Sequence, residues 1–304
     1  MNSAAGGAQP TTMKLKEYFA RISYKGPLRP LDLKTLTAVL QHHIRAVPFE
    51  NLNIHCGETI ELGLEAVYKK IVKNHRGGWC LENNLLLSWV LQTMGYDVTL
   101  LGSYVYVPQE NKYDDGMNHL LLKVVIDGKA YAVDGGFGIA FQMWQPVELI
   151  SGKEQPQKPG IFRVTEDNGT WYFDKLKRKV YSSDPENKSL YFDGPEDLTC
   201  KKIFAFTLKP RSIEEFREQN TALQTAPDSL FVKKSICSLQ TANGFQVLIG
   251  WTLTEAKYDY KDNMDLIEKT TLTDEEVEKT LKERFNIRLK KKLVPCNESL
   301  VPTS

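Results

Sequence analysis

Arg76-Gly77-Gly78-Trp79-Cys80 divides two helical patterns and sets a cysteine at the start of the second. Upstream, Leu64 to Lys73 carries Leu64, Val67, Ile71 and Val72 on one apolar face, with Lys69, Lys70 and Lys73 outside. Gly77 and Gly78 are expected to end that helix, because glycine accepts the left-handed conformation that closes helices. Downstream, Cys80 to Met94 places Leu81, Leu85 and Trp89 at helical spacing, and Gly95 stops the run. Cys80 then stands where unpaired backbone N–H groups and the helix dipole favour negative charge. A thiol so placed is biased toward thiolate, the nucleophilic form. Most free cysteines are buried structural residues, so position by itself leaves both readings open.

The segment Asn118 to Asp134 supplies partners. Leu120 to Ile126 is an apolar, β-branched run, Asp127-Gly128 is a two-residue hairpin signal, and Lys129 to Asp134 returns. With Ile126 opposite Lys129, Leu121 falls opposite Asp134 and His119 opposite Gly136. Side chains alternate along a strand, so His119 and Asp134 share a face as diagonal neighbours, roughly 7–8 Å apart along the backbone. A one-residue bulge would destroy that parity. A carboxylate on one imidazole nitrogen fixes the ring and leaves the other nitrogen for a nucleophile. Cys80, His119 and Asp134 therefore form a candidate activated thiol. The plainer alternatives are a strand histidine on a local carboxylate and a turn aspartate before Gly135-Gly136.

Around this centre the chain reads as helical, then stranded, then mixed. Lys14 to Ile22 and Leu31 to Arg45 are amphipathic, with Asp32 near the start of the second and Pro48 beyond its end. From Asp97 the period changes: Val98 to Val107, Asn118 to Ile126, Lys129 to Asp134, Ile161 to Thr165, and Thr170 to Phe173 across Asn168-Gly169 read as an antiparallel barrel or sheet. Ser182 to Asp197 reads as a loop insertion. Ser212 to Asn220 is a capped helical pattern, and Cys237 to Gln240 with Phe245 to Leu253 forms a hairpin across Ala242-Asn243-Gly244. Thr273 to Phe285 opens with a capping box to Glu276. The expected divisions are 1–12 as a disordered extension, 13–96 as a helical bundle, 97–205 as a barrel and 206–304 as an α/β lid with its tail.

Across 304 residues, 41% are hydrophobic and 25% charged, ordinary for a soluble globular chain with a substantial core. A net charge of +1 gives no electrostatic case for nucleic acid or an anionic membrane. No apolar run approaches the ~20 residues of a membrane span. Met1 to Thr12 lacks the basic start and apolar core of a signal peptide, and Asn2 excludes N-myristoylation. Five widely spaced cysteines without a Cys-x-x-Cys argue against a disulfide framework and against structural zinc. These features point to a cytoplasmic protein, in which the sequons at Asn168, Asn187 and Asn297 are chance matches.

Weaker signals carry bland readings. Lys175 to Lys179 and Arg288 to Lys292 are basic runs best read as solvated edges, with phosphate contact or a nuclear signal as the alternatives. His55-Cys56 is a rival nucleophile pair, but adjacent strand residues point to opposite faces. His42 and His43 lie late in a helix, where they can interact with its dipole. Glu50 and Arg76 are expected to form an internal ion pair that orders the cysteine loop. Gly135-Gly136-Phe137-Gly138 is a tight post-strand turn or a backbone approach to a ligand; its spacing is not that of a dinucleotide fingerprint.

Arg76-Gly-Gly-Trp-Cys80, Gly116-Met-Asn-His119 and Val133-Asp-Gly-Gly-Phe-Gly138 resemble the active-site segments of the arylamine N-acetyltransferases. Pro48-Phe-Glu-Asn-Leu-Asn53, Met143-Trp-Gln-Pro146, Phe206-Thr-Leu-Lys-Pro-Arg211, Tyr260-Lys-Asp-Asn263 and Lys292-Leu-Val-Pro295 are similar to segments of its vertebrate members. The resemblance covers about Met13 to Pro295. It implies an α+β fold of N-terminal helical bundle, central antiparallel β-barrel and C-terminal α/β lid, with a papain- or transglutaminase-like cysteine triad of Cys80, His119 and Asp134. It also implies ping-pong acetyl transfer from acetyl-CoA to arylamines, arylhydrazines and N-hydroxyarylamines. By the same resemblance the expected co-substrate is acetyl-CoA, with no permanently bound cofactor and no metal, the expected partners are small molecules rather than nucleic acid or membrane, and the expected state is a monomer. CoA-side positions map to Asp115, Gly116, Ala222 and Asp228. Asp115 stands where relatives carry threonine or serine, and Ala222 and Asp228 where human relatives carry tyrosine and a hydroxyl residue. Acceptor positions map to Asn118, Phe137, Ile139 and Phe141; Ile139 replaces a polar or basic residue of human members, which implies a more apolar pocket.

Two other readings use the same residues. A cysteine hydrolase or transglutaminase-like enzyme would cleave peptides or crosslink glutamine without acetyl-CoA. A non-catalytic binding protein on this fold would need a defective triad, and all three residues are present.

Overall fold

The structure is a computed structural model that describes residues 12–182 and 200–299. Most of the expected loop insertion, and residues 1–11 of the expected extension, lie outside the described residues.

The N-terminal third is helical. Leu33–Ala46 starts at Asp32, whose carboxylate accepts from the Thr35 N–H. Leu64–Tyr68 continues as a π-helical turn, Lys69–Lys73, and stops at Asn74. Gly77 and Gly78 therefore do not close that helix. Their role is close approach: a Cβ on Gly77 would fall 2.1 Å from the Pro48 carbonyl oxygen, and one on Gly78 would meet Glu82. Chain reversal occurs at His75, which adopts φ +53°.

Cys80–Met94 follows and ends at Gly95, φ +107°. It is buried nearly all round, as a helix at the centre of a molecule must be. Its apolar residues join those of the first helices and one face of His119–Ile126 in the largest core cluster.

The central sheet runs Val147–Glu148, Lys129–Val133, His119–Ile126, Asp97–Val107, Cys200–Pro210, Thr170–Leu176, Gly160–Asp167, Glu154–Gln157, each pair antiparallel. Its ends nearly meet. The Gln155 side chain spans the gap, accepting from Glu148 N–H and donating to the Glu148 carbonyl. Inside lies a second core of Leu101, Leu121, Phe162, Phe173, Phe204 and Phe206. The fold is thus α+β with an almost closed antiparallel barrel, the architecture the resemblance implies.

A second, six-stranded sheet runs Phe49–Glu50, Ile236–Gln240, Gly244–Ile249, Thr252–Lys261, Met264–Thr271, Lys179–Ser182. Helix Asp274–Arg284 packs on it through Val277 and Leu281, capped at Thr273 by Glu276. The expected strand through Phe245 to Leu253 is broken at Gly250, φ +55°, into two strands. Both outer strands come from distant parts of the chain. Phe49–Glu50 lies just before the cysteine loop, and Lys179–Ser182 runs parallel to Met264–Thr271. This sheet therefore ties the C-terminal third to the helical and barrel parts.

Candidate active site

The hairpin register is the expected one: Ile126 faces Lys129 and Leu122 faces Val133. Asp127 and Gly128 both have positive φ, as a two-residue turn between twisted strands requires. Asp134 lies one residue past its strand, and His119 opens its own. The His119 Nε2 sits 2.7 Å from Asp134 Oδ2, with both side chains almost fully buried. Cys80 opens its helix beside them; its Sγ is 3.7 Å from the Asn118 carbonyl oxygen, and its side chain also bonds to His119. With Nε2 taken by Asp134, Nδ1 is the nitrogen left for the sulfur. Burial alone would disfavour the imidazolium, but the Asp134 carboxylate, its hydrogen bond and the Cys80 sulfur together push His119 up to about 10. The ring is further boxed by Phe137 and Phe204, at 5.0 and 5.2 Å between centroids.

Asp134 is held from several sides. Asn84 donates to Asp134 Oδ1 at 2.8 Å and to the Leu120 carbonyl at 2.7 Å, and accepts from the Gly135 N–H at 2.7 Å. The Gly136 N–H also donates to Oδ1, and Gln142 donates to the Asp134 carbonyl. Sequence reasoning passed over Asn84, although it lies one helical turn after Cys80 and so on the same face. Beneath this layer His43 is buried against Gly135, with Nδ1 2.8 Å from the Tyr18 hydroxyl. Burial, then Arg21, lowers His43 to about 3, so it is neutral.

The cysteine loop rests on two buried ion pairs. Arg76 donates to both Glu50 oxygens at 2.9 and 3.0 Å and to Asn53 at 2.8 Å, the pair expected from sequence. Burial opposes the Glu50 charge, but Arg76 and then Lys70 hold its carboxyl down to about 2. The second pair was not expected. Lys70, read as solvent-facing, turns inward to place Nζ 2.8 Å from both Glu82 oxygens. Glu82 in turn accepts from the Trp79 N–H at 3.1 Å.

The mapped acceptor positions flank the histidine unequally. Phe137 packs edge-on to His119, and Phe141 edge-on to Phe137 at 6.3 Å. Ile139 has φ +48°, rare for a β-branched residue. Its N–H donates to Ser238 Oγ, and its carbonyl accepts from Gln240, so the second sheet pins this turn. The Asn118 amide is engaged elsewhere, donating to Asp114 and accepting from the Val105 N–H. Of the mapped CoA-side positions, Asp115 is exposed and paired with Lys112, while the Gly116 N–H donates to Asp114. Gly116 abuts Gln219 of helix Arg217–Thr225, which carries Ala222 on its exposed side; Asp228 is exposed beyond that helix.

Other sequence signals resolve differently. His55 and Cys56 lie at a helix end rather than in a strand, and they bond to Phe231 and Lys291 carbonyls instead of each other. Arg288 and Lys290 to Lys292 are exposed, as a solvated edge is. Lys175 to Lys179 is not one. Lys175 is buried with Nζ on the Ala140 carbonyl at 2.5 Å, and Lys177 lies over the Phe141 ring. Burial pulls Lys175 down to about 7. The run is covered because Tyr258 and Asp265 of the second sheet lie over it, Asp265 accepting from Arg178 of the run itself.

A buried cysteine with an imidazole locked to a carboxylate, at the joint of a helical layer and a barrel, defines the class of thiol-dependent transferases and hydrolases. Comparison with known proteins narrows it. A sequence model described as N-acetyltransferase matches residues 32–294. The chain is 63% identical over 287 residues to the arylamine N-acetyltransferase pineal gland isozyme NAT-3 of Gallus gallus, covering 94% of this chain and 98% of that one. It is 56% identical to arylamine N-acetyltransferase 1 of Homo sapiens, covering 93% and 97%. Among solved structures, the arylamine N-acetyltransferase of M. tuberculosis superposes with TM-score 0.77 at 27% identity, covering 90% and 94%. That of Mycobacterium marinum in complex with CoA gives 0.75 at 25% identity, covering 90% and 93%. The chain belongs to the arylamine N-acetyltransferase family.

Proposed function

We propose that this protein transfers acetyl groups from acetyl-CoA to arylamines by a ping-pong route through Cys80. The observation that carries the mechanism is the buried Cys80–His119–Asp134 line, with its 2.7 Å imidazole–carboxylate bond. The Cys80 thiolate attacks the thioester carbonyl of acetyl-CoA, and backbone N–H groups at the helix start, that of Cys80 among them, receive the oxyanion. The C–S bond to CoA breaks, and the departing thiolate takes the proton held by His119. Acetyl-Cys80 remains. The arylamine nitrogen then attacks that carbonyl while His119 accepts the amine proton, and Cys80 leaves as thiolate. Asp134 holds the ring in the tautomer both half-reactions need. Phe137, Ile139 and Phe141 offer an apolar wall for the aryl ring. Gly116 and the exposed side of Arg217–Thr225, with Ala222, form a rim suited to CoA; Asp115 and Asp228 would meet its phosphates only through bridging groups. Arylhydrazines and N-hydroxyarylamines are acceptors by the same chemistry.

The test is intact mass after mixing protein and acetyl-CoA without acceptor, followed by peptide mapping. One acetyl group on Cys80, removed by an aminobenzoate and absent in Cys80→Ser, is expected. A folded, reduced protein whose Cys80 stays unmodified would refute the route.

A further inference from the structure

The Cys80–Met94 helix begins with an internal conflict. Glu82 is its third residue, and its carboxylate caps the Trp79 N–H, fixing the residue before Cys80. An acid there suits the helix dipole. Yet a full negative charge two residues from Cys80, in a buried site, opposes formation of a thiolate. The Glu82 side chain is only 1% exposed, so water cannot screen it.

Lys70 resolves the conflict. It reaches Glu82 from the π-helical turn Lys69–Lys73, the one break in a helix that otherwise presents its lysines to solvent. π-turns of this kind occur often at functional sites. The ammonium is bidentate, 2.8 Å from each oxygen, and the Lys70 carbonyl also accepts from the Arg76 N–H at 3.1 Å. Burial raises the Glu82 carboxyl, and Lys70 is the main influence working against that rise.

We infer that Lys70 and Glu82 act as a positioning pair: Glu82 clamps the helix start that carries Cys80, and Lys70 cancels its charge so that the clamp does not oppose the thiolate. The inference rests on Cys80 being the nucleophile. Around this helix start Glu50 pairs with Arg76 on the loop and His119 with Asp134 on the strands, and Glu58, Glu61, Lys69, Arg288 and Lys290 line the cleft that reaches Lys70 and Glu82. Lys70 also acts on Glu50, which keeps its own bonds to Arg76.

The experiment follows iodoacetamide alkylation of Cys80 against pH, with site assignment by peptide mapping, and single-turnover acetylation by acetyl-CoA at neutral pH. Lys70→Gln should move the alkylation profile up by about one pH unit and slow acetylation about tenfold. Glu82→Gln keeps an amide oxygen for the Trp79 N–H and should move the profile down. The double variant restores neutrality and should recover to within about twofold of the wild type. A lost contact that mattered only for packing would not be rescued by removing its partner. A Lys70→Gln profile that superimposes on the wild type, or a double variant as slow as Lys70→Gln, overturns the inference. Should Lys70→Gln fail to fold, an unmoved Glu82→Gln profile overturns it. Wild-type Cys80 alkylating no faster than Cys56, Cys200 or Cys296 would instead refute the nucleophile assignment itself.

Discussion

Asp134→Asn removes one charge from the site with minimal change of shape. In the native protein burial works against the imidazolium, yet His119 stands at about 10 against an ordinary 6.5, because the Asp134 carboxylate lies 2.7 Å away. Each tenfold change in protonation is worth ~1.4 kcal/mol. Replacing the carboxylate by an amide leaves burial unopposed by its main counterweight, and the ring becomes neutral at working pH. The thiolate–imidazolium pair then loses ~3–5 kcal/mol, which corresponds to a ~10²- to 10⁴-fold fall in kcat/KM for acetyl-CoA. The profile of Cys80 alkylation separates this cause from general damage. Native protein should already be alkylated at neutral pH, whereas the variant's rate should climb only through the ordinary thiol range, about 8–9. Steady-state kinetics, the alkylation profile and a melting curve on the same sample suffice. A variant within about threefold of native kcat/KM, with an alkylation profile that superimposes on the native one, would refute the role given to Asp134.

Three further outcomes are expected. Asn84→Ala should leave Asp134 Oδ1, the Leu120 carbonyl and the Gly135 N–H short of a partner, costing ~1–3 kcal/mol by denaturant titration and about tenfold in turnover. Arg76→Ala should destabilise by ~3–5 kcal/mol, because Glu50 is left as a buried, unpaired carboxylate; a protein of native stability and activity would show that the pair does not order the loop. His43, lowered to about 3 by burial, binds its proton more readily unfolded than folded. Its contribution is therefore present above about 6.5 and is lost as pH falls toward 3, so His43→Gln should flatten the decline of stability with acid between those limits.

The local parts of this design are legible in the chain. Asp127-Gly128 dictates a two-residue turn, and strand alternation then carries His119 and Asp134 to one face without knowledge of anything else. Cys80 at a helix start follows from periodicity and from Gly95 at the far end. The Glu50–Arg76 pair is also the one expected from sequence. The same local logic misread Gly77-Gly78. It assigned them to a helix end, whereas the Pro48 carbonyl presses against the backbone at Gly77 and the Glu82 side chain at Gly78. It also placed Lys70 and Lys175 in solvent.

Those misreadings share a cause. Whether a lysine is solvated depends on what lies over it, and the covering elements are other parts of the chain: Glu82 of the next helix over Lys70, and the distant strands around Tyr258 and Asp265 over Lys175. The second sheet likewise joins residues 49–50, 179–182 and 236–271, a pairing no local pattern announces. The sequence by itself determined the chemistry present, its order along the chain and the hairpin that aligns histidine with aspartate, because turns and strand alternation are short-range. Only the tertiary structure decided how the carboxylates are oriented and which charges are compensated, because burial and long-range contacts set the energy of a charge, and neither exists until distant segments meet.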